Sequence, residues 1–434
     1  MSVSGAMNTA VSGLIANSTA VARISENIAN SNTVGYKRTF ASMVTQTVAG
    51  AGSVSGVKAV NGSEVATAGI LNSTGTSQDL GISGSGFFVV SKNPNDPLLS
   101  NYFLTRSGQF RTDENGYMVN SAGYYLAAYE LDIDGGVGAV DRNGFSGLKT
   151  VQTGEMTLAA EPSTAASVSG NLPAQESGVT DPGAPFQASM EFFTQLGRTE
   201  KLTLSWQPTT TNNLWTLTIS DGTGAVHGSI DVTFNNNGEA PGSPKSYAVS
   251  NTGGAITAEQ GLTLDPTTGI VTLNIVTNSD RMSFDLSLGA IGTYDGVQQF
   301  VGDFTPQKFK VDGSSQTQLA RSETDSSGTV WGVFDNGRRL ALYEIPLAQV
   351  TNADGLTLVD GNAYQVTRAA GDMVLAVAGT GKNGTVVSGA LEASTVEIAT
   401  ELTDLIRVQR AYSSNAKIIT TADEMLQEVT QLKR

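Results

Sequence analysis

No cysteine occurs in the 434 residues, which excludes disulfides, thiolate metal sites and cysteine nucleophiles together. Histidine is almost as scarce. His227, the single copy, lies in the Gly-rich stretch DGTGAVHG and reads as an exposed loop residue rather than a catalytic base. Charge is sparse too: charged residues make up 15% and the formal net charge is −15, a balance that argues against a nucleic-acid partner. No charged residue precedes Arg23, and Ser, Thr and Asn interrupt every apolar run before it. A cleavable secretory signal needs a basic start and an unbroken apolar stretch, and a membrane span needs about 20 apolar residues. Neither signal cleavage nor membrane insertion is therefore expected. Proline is rare against glycine, 12 to 49, which suits an extended, turn-rich β-protein.

The two ends of the chain differ from everything between them. Residues 394–434 contain no Gly and no Pro. Val408, Ala411, Asn415, Ile418, Ala422, Met425, Val429 and Leu432 alternate at spacings of three and four, the heptad register of a coiled coil. Ile398, Leu402 and Leu405 extend the stripe upstream with a one-residue offset. Ser394 and Glu397 have capping-box spacing. At the other end Val3, Met7, Ala10, Leu14, Asn17, Val21, Ile24 and Ile28 repeat the pattern. The run Asn30-Ser31-Asn32 with Gly35 stops that helix. A forty-residue helix is about 60 Å long, too long for a small globule to enclose. If the two stripes pair with each other the pairing is antiparallel, and they are expected to offer apolar surface to other subunits.

Between the ends the sequence reads as β-structure. Short alternating segments such as 87–90, 102–106, 124–130, 201–206, 214–219, 229–234, 270–276, 330–334 and 340–345 are separated by turn clusters, among them Asp113–Gly116, Asn235–Gly238 and Pro266–Gly269. The texture changes near 150 and reverts near 300, so the layers look nested. The expected class is a multidomain α+β protein. Its terminal helices (1–30 and 394–434) form an α-helical coiled-coil domain. A connector (31–70 and 370–393) encloses a β-domain (71–149 and 286–369), which encloses an inserted all-β domain (150–285).

Two local motifs invite chemistry. Gly379–Gly384 fits GxGxxG, but the dinucleotide mechanism needs a helix to open at its third glycine, and the strand-like Thr385-Val386-Val387 follows. Asp132-Ile133-Asp134-Gly135 resembles the start of a calcium loop, but Gly136 replaces the third oxygen ligand. No catalytic residue, cofactor or metal is expected.

The terminal segments carry a resemblance. Residues 12–40, with the core Asn27-Ile28-Ala29-Asn30-Ser31-Asn32-Thr33-Val34-Gly35-Tyr36-Lys37-Arg38, resemble the N-terminal signature of flagellar rod and hook proteins. The stretches ISGSGFFVV and FLTRSGQFRTDENGYMVNSAGYYL are similar to that family's shared β-domain, and residues 401–434 resemble its C-terminal signature. The large insert and residues 312–356 look like the hook branch rather than the shorter distal rod branch. The resemblance implies a homopolymer, a helical tube of many copies outside the cell that joins rod to filament as a flexible universal joint. It also implies partners at the distal rod, the hook–filament junction and the hook cap, and passage through the flagellar type III export apparatus without signal cleavage. Two alternatives stay open at this point. One is a rod or junction protein of the same family. The other is a secreted β-domain binder or glycan-active enzyme using carboxylates such as Asp132 and Asp134.

Overall fold

The computed structural model describes residues 3–47, 54–132, 135–154, 156–238, 240–251, 261–277, 280–305 and 307–432. Helix α1 spans Val3–Ala29 and helix α2 spans Ile398–Leu432. Among the described residues every other regular element is a strand or a single 3-10 turn. The protein is thus mostly β, with one helix near each end and several sheets. It divides into two compact units, one of Met1–Met156 with Leu319–Arg434 and the other of Thr157–Gln318.

The second unit is built from two sheets. One is an antiparallel meander of Phe186–Phe193, Thr199–Pro208, Leu214–Asp221, Val226–Phe234 and Pro244–Asn251. The other runs Gly261–Asp265, Ile270–Thr277, Asp280–Ser287, Ala165–Pro173, Val297–Phe300, with Lys308–Val311 also on Ala165–Pro173. Period-2 alternation turns Trp215, Leu217 and Ile219 inward from one strand and Val271, Leu273 and Ile275 from another. With Trp206, Phe192 and Phe284 they form one apolar core, as in a sandwich of two sheets. This unit runs beyond the exit expected at 285. Val297–Phe300 and Lys308–Val311 both pair with Ala165–Pro173, so long-range pairing, which composition does not report, decides where the insert ends.

In the first unit, a sheet orders Thr329–Phe334, Arg339–Glu344, Tyr125–Glu130, Phe87–Ser91, Tyr102–Thr105, Ala363–Gln365 and Thr357–Val359. Phe87–Ser91 is buried throughout. Phe88 and Val90 belong to one cluster with Leu80, Phe110 and Val386, while Phe87 and Val89 belong to another with Tyr102, Tyr129 and Tyr364. A strand covered on both faces reads as a continuous apolar run, which is why Phe87-Phe88-Val89-Val90 stands out in the sequence.

The stretches read as connector carry regular pairing. Thr39–Thr47 and Val54–Ser63 form an antiparallel hairpin, and Ser12 Oγ on α1 accepts from the Val57 amide at 3.1 Å. On the return path Met373–Val377 pairs with Pro346–Val350, Thr385–Ser388 with Leu80–Ser83, and Ala390–Glu392 with Leu71–Ser73. The GxGxxG segment is the turn between two of these strands, and a strand follows it. Asp132 Oδ1 accepts from the Gly136 amide at 2.6 Å, while Ile133 and Asp134 lie outside the described residues. The capping box does not form. Ser394 Oγ accepts from Val396 N, α2 begins only at Ile398, and Glu397 accepts from the Thr400 hydroxyl at 2.9 Å. Thr395 is held instead by hydrogen bonds with Tyr36 and Arg38.

His227 is not an exposed loop residue. It is buried within Val226–Phe234. Ile219 pairs with Gly228 and Ser220 with Val226, so His227 is the extra residue of a β-bulge. Its Nε2 lies 3.5 Å from Asp221 Oδ2. Burial pushes its pKa below the ordinary 6.5, and the Asp221 carboxylate opposes that shift. Below 6.5 the unfolded chain takes up a proton that folded His227 resists, so the unfolded state binds more protons and stability falls as pH falls. Urea midpoints of an isolated Thr157–Gln318 unit are expected to drop between pH 7 and 5, and His227→Gln to reduce that slope. An unchanged slope in the variant would assign the acid sensitivity to other groups.

Candidate assembly surface and its buried junction

Helices α1 and α2 pack antiparallel. Gly13 faces Asn415, while Ala20 and Ile24 meet Val408 farther along. A Cβ on Gly13 would lie 2.6 Å from Asn415 Nδ2, so a larger residue there requires the Asn415 side chain to shift. Of the expected α1 stripe, Ala10 and Ile24 are buried and Met7, Leu14, Val21 and Ile28 are half-buried. The Val3 side chain lies outside the described residues.

On α2 the seam is rotated from the expected stripe. Val408 and Ala422 are buried, and Leu405, Asn415 and Ile419 are half-buried. Ala411, Ile418 and Met425 are exposed, the last two at 46% and 52%. The side chains of Val429 and Leu432 lie outside the described residues. Positions 411, 418 and 425, seven residues apart, form one line on the helix beside the seam. On α1, Val11 and Ile15 are also exposed, Ile15 at 65%. A small apolar cluster therefore holds the pair, and apolar surface remains uncovered on both helices.

A polar junction joins the helix pair to the β-structure, and the remaining signature residues build it. Asn27 is fully buried near the end of α1. Its Oδ1 accepts from the Thr39 amide at 2.9 Å, the Thr39 hydroxyl at 3.1 Å and the Tyr36 hydroxyl at 3.2 Å, while its Nδ2 donates to the Thr39 carbonyl at 2.7 Å. Asn30 Nδ2 donates to the Glu26 carbonyl at 2.9 Å, a second bond to an oxygen that also accepts from the Asn30 amide at 3.1 Å. Ala29 is exposed and makes no such contact.

Residues 35–38 then zip onto 392–395. The Gly35 amide donates to the Glu392 carbonyl at 2.8 Å and the Thr395 amide to the Tyr36 carbonyl at 3.1 Å. The Arg38 amide donates to the Thr395 hydroxyl at 2.9 Å. Gly35 adopts φ +69, and a Cβ there would meet the Arg106 and Ser107 backbone at 2.7 Å. Glycine is required twice over.

Lys37 is buried and donates from Nζ to Glu392 Oε1 and the Thr67 carbonyl. Arg106 donates from a terminal nitrogen to Glu392 Oε2 at 3.0 Å. Burial holds the Lys37 ammonium below its ordinary pKa, opposed by Glu392. A second cluster lies nearer solvent, where Arg38 bonds Glu401 on α2 through Nε and Glu64 at 3.1 Å. Arg38 closes the signature core, whereas Glu392, Arg106 and Glu401 were not singled out by the sequence. The one available signal was Glu392, alone among small and apolar residues between Lys382 and Glu397.

Three family models match these regions. "Flagella basal body rod protein" covers residues 7–37, "Flagellar hook protein FlgE/F/G D1 domain" 81–156 and "Flagellar basal body rod FlgEFG protein C-terminal" 387–432. The first reaches Lys37 and the last includes residues 392–395 of the junction, and together the three define the class of flagellar axial proteins. Relatives named flagellar hook protein FlgE are similar over the full length of both chains. The one from Rhizobium meliloti is 33% identical over 100% of each chain, and that from Brucella abortus 32% over 100% of each. That from Escherichia coli is 29% identical over 99% of this chain and 100% of its own. A solved structure of Helicobacter pylori hook protein FlgE2 aligns with TM-score 0.43 and 14% identity over 74% of this chain and 100% of that one. The chain belongs to the flagellar hook protein family, a structural rather than an enzymatic one.

Among the described residues, Glu392 is the only carboxylate that bonds Lys37 and Arg106. Glu392→Gln would leave two buried cations facing a neutral amide, whereas Lys37→Met leaves Glu392 paired with Arg106. Removing one partner of a buried ion pair costs about 3–5 kcal/mol. Glu392→Gln is expected to fall in that range and to exceed Lys37→Met, by urea denaturation followed through the helical circular dichroism signal. Equal stability of Glu392→Gln and wild type would remove the junction's role.

Proposed function

We propose that the chain is the subunit of the flagellar hook, and that copies assemble into a tube through the apolar surface left exposed on the terminal helices. The observation that carries this reading is the line Ala411, Ile418, Met425 beside a seam already filled by α1. Each large apolar side chain buried contributes about 1.5–3 kcal/mol, and the gain recurs in every subunit. The helices of many copies then form a coiled-coil inner layer. The layers proposed from the sequence surround it: connector 31–70 with 370–393, then the β-domain that begins at 71, then the inserted β-domain. Val3, Met7, Leu14, Val21, Ile28, Val429 and Leu432 complete the inner contacts.

A hook subunit works outside the cell, in the flagellum between rod and filament. Its other partners are the distal rod, hook–filament junction and hook cap proteins, with the type III export apparatus delivering it. Torque must pass while the axis bends. The dry helical contacts carry torque, and the inserted unit, separately cored, makes outer contacts that slide.

An Asp at 418 or 425 would place an unpaired carboxylate in a subunit contact, a desolvation cost of several kcal/mol. Purified Ile418→Asp and Met425→Asp are expected not to polymerise, while monomer melting stays within about 1 kcal/mol of wild type, as for other surface changes. Gln427→Asp, away from that line, is expected to polymerise. Normal tubes from Ile418→Asp in sedimentation and electron microscopy would refute the surface.

Replacing Thr157–Gln318 by a short Gly-Ser bridge tests the layer model. Met156 and Leu319 are joined by a backbone hydrogen bond of 2.9 Å, so the bridge spans a short gap. The shortened subunit is expected to export and to form tubes of altered curvature. Normal secretion without any tube would make the insert essential for assembly.

A further inference from the structure

A cavity of about 450 Å³ opens in the first unit, lined among others by Phe87, Arg106, Gln349, Thr351 and Lys382. Its charge is unbalanced. Arg106 is 98% buried (2% exposed) and lies over the Phe87 ring at 5.1 Å. Among the described residues one terminal nitrogen of its guanidinium bonds Glu392 and the other has no bond. Its Nε is buried without a hydrogen-bond partner. Glu392 is also the carboxylate of Lys37, so two buried cations share one anion, against the rule that buried charges are paired. The nearby Asp354 is directed to backbone, where its Oδ1 accepts from the amides of Val65 and Ala66 at 2.9 and 3.4 Å. Lys382, exposed in the Gly379–Gly384 turn, adds a third cation at the rim and has no ion pair among the described residues. No bond of the Gln349 side chain competes for its amide among the described residues.

We infer that this cavity receives a carboxylate side chain from a second copy of the chain. A guanidinium with free donors is matched by a carboxylate, which it binds with charge-assisted bonds. The chain itself supplies that group in excess, with 40 acidic residues against 25 basic. A cationic hollow on an otherwise acidic subunit thus has its complement on every neighbour. The inference rests on the assembly reading above and names a contact within it, away from the helical surface. Because Arg106 also holds the junction, the test falls on Lys382.

Isotopically light and heavy copies are mixed, polymerised and treated with a carbodiimide, which joins a lysine amine to a touching carboxylate as an amide with loss of water. Mass spectrometry is expected to find light–heavy peptides linking Lys382 to an Asp or Glu. Lys382→Gln is expected to raise the critical concentration for polymerisation about tenfold, with monomer melting unchanged. If wild type fails to polymerise, the assembly reading itself falls. If wild type polymerises and Lys382→Gln does so at the same critical concentration, or Lys382 couples only within its own chain, the carboxylate contact alone is overturned. Protection of monomer Lys382 from acylation by inorganic phosphate, with no coupling in the polymer, would identify a small-anion site and overturn it equally.

Discussion

The buried contact of Lys37 and Arg106 with Glu392 is the interaction on which the rest of the molecule depends. Lys37 and Glu392 are 355 residues apart in sequence, and nearly all the β-structure lies between them. A carboxylate stripped of water is tolerated only where cations and backbone donors replace the solvent. Glu392 has Lys37, Arg106 and the Gly69 amide at 2.7 Å. Such a site admits little displacement without a large loss, so it fixes where α1 ends and α2 begins. Asn27 does the same for the exit of α1, with no charge involved.

That rigidity explains how a thin helical seam persists. The cluster of Ala20, Ile24 and Val408 is far smaller than the core of the inserted unit, and lone helices are marginal in water. The junction aligns the two helices, which lowers the ordering entropy that the seam must overcome. It also leaves the adjacent line on α2 apolar and uncovered. A monomer built for its own stability alone would turn Ile418 and Met425 inward. A subunit of a polymer keeps them outside.

On the proposed assembly, two kinds of contact surface serve a bendable tube. Apolar helical surface gives contacts that fail sharply when displaced, because close packing falls off within a fraction of an ångström. Charge-assisted contacts at a cavity rim tolerate small changes of distance and angle, since Coulomb attraction falls off slowly. On that proposal the first carries torque and the second yields as the axis curves.

Much of this was legible in the sequence because it is local. Heptad spacing marked both helices, period-2 alternation marked strands such as Leu214–Asp221, and the turn clusters marked their ends. Residues 27–37 stood out as a signature, but only as a string of types. What Asn27, Gly35 and Lys37 touch was not written locally, because Thr39, Arg106 and Glu392 come from separate parts of the fold. Rotation of the α2 seam by one position was likewise invisible, since the heptad pattern gives a stripe wide enough for two partners. His227 shows the same limit: a Gly-rich neighbourhood reads as a loop, and only a bulge in a strand pair turns the side chain inward. Periodicity decides which elements form, through backbone geometry and solvent. Which apolar face meets its own chain and which is left for another depends on long-range pairing, and that only the tertiary structure decided.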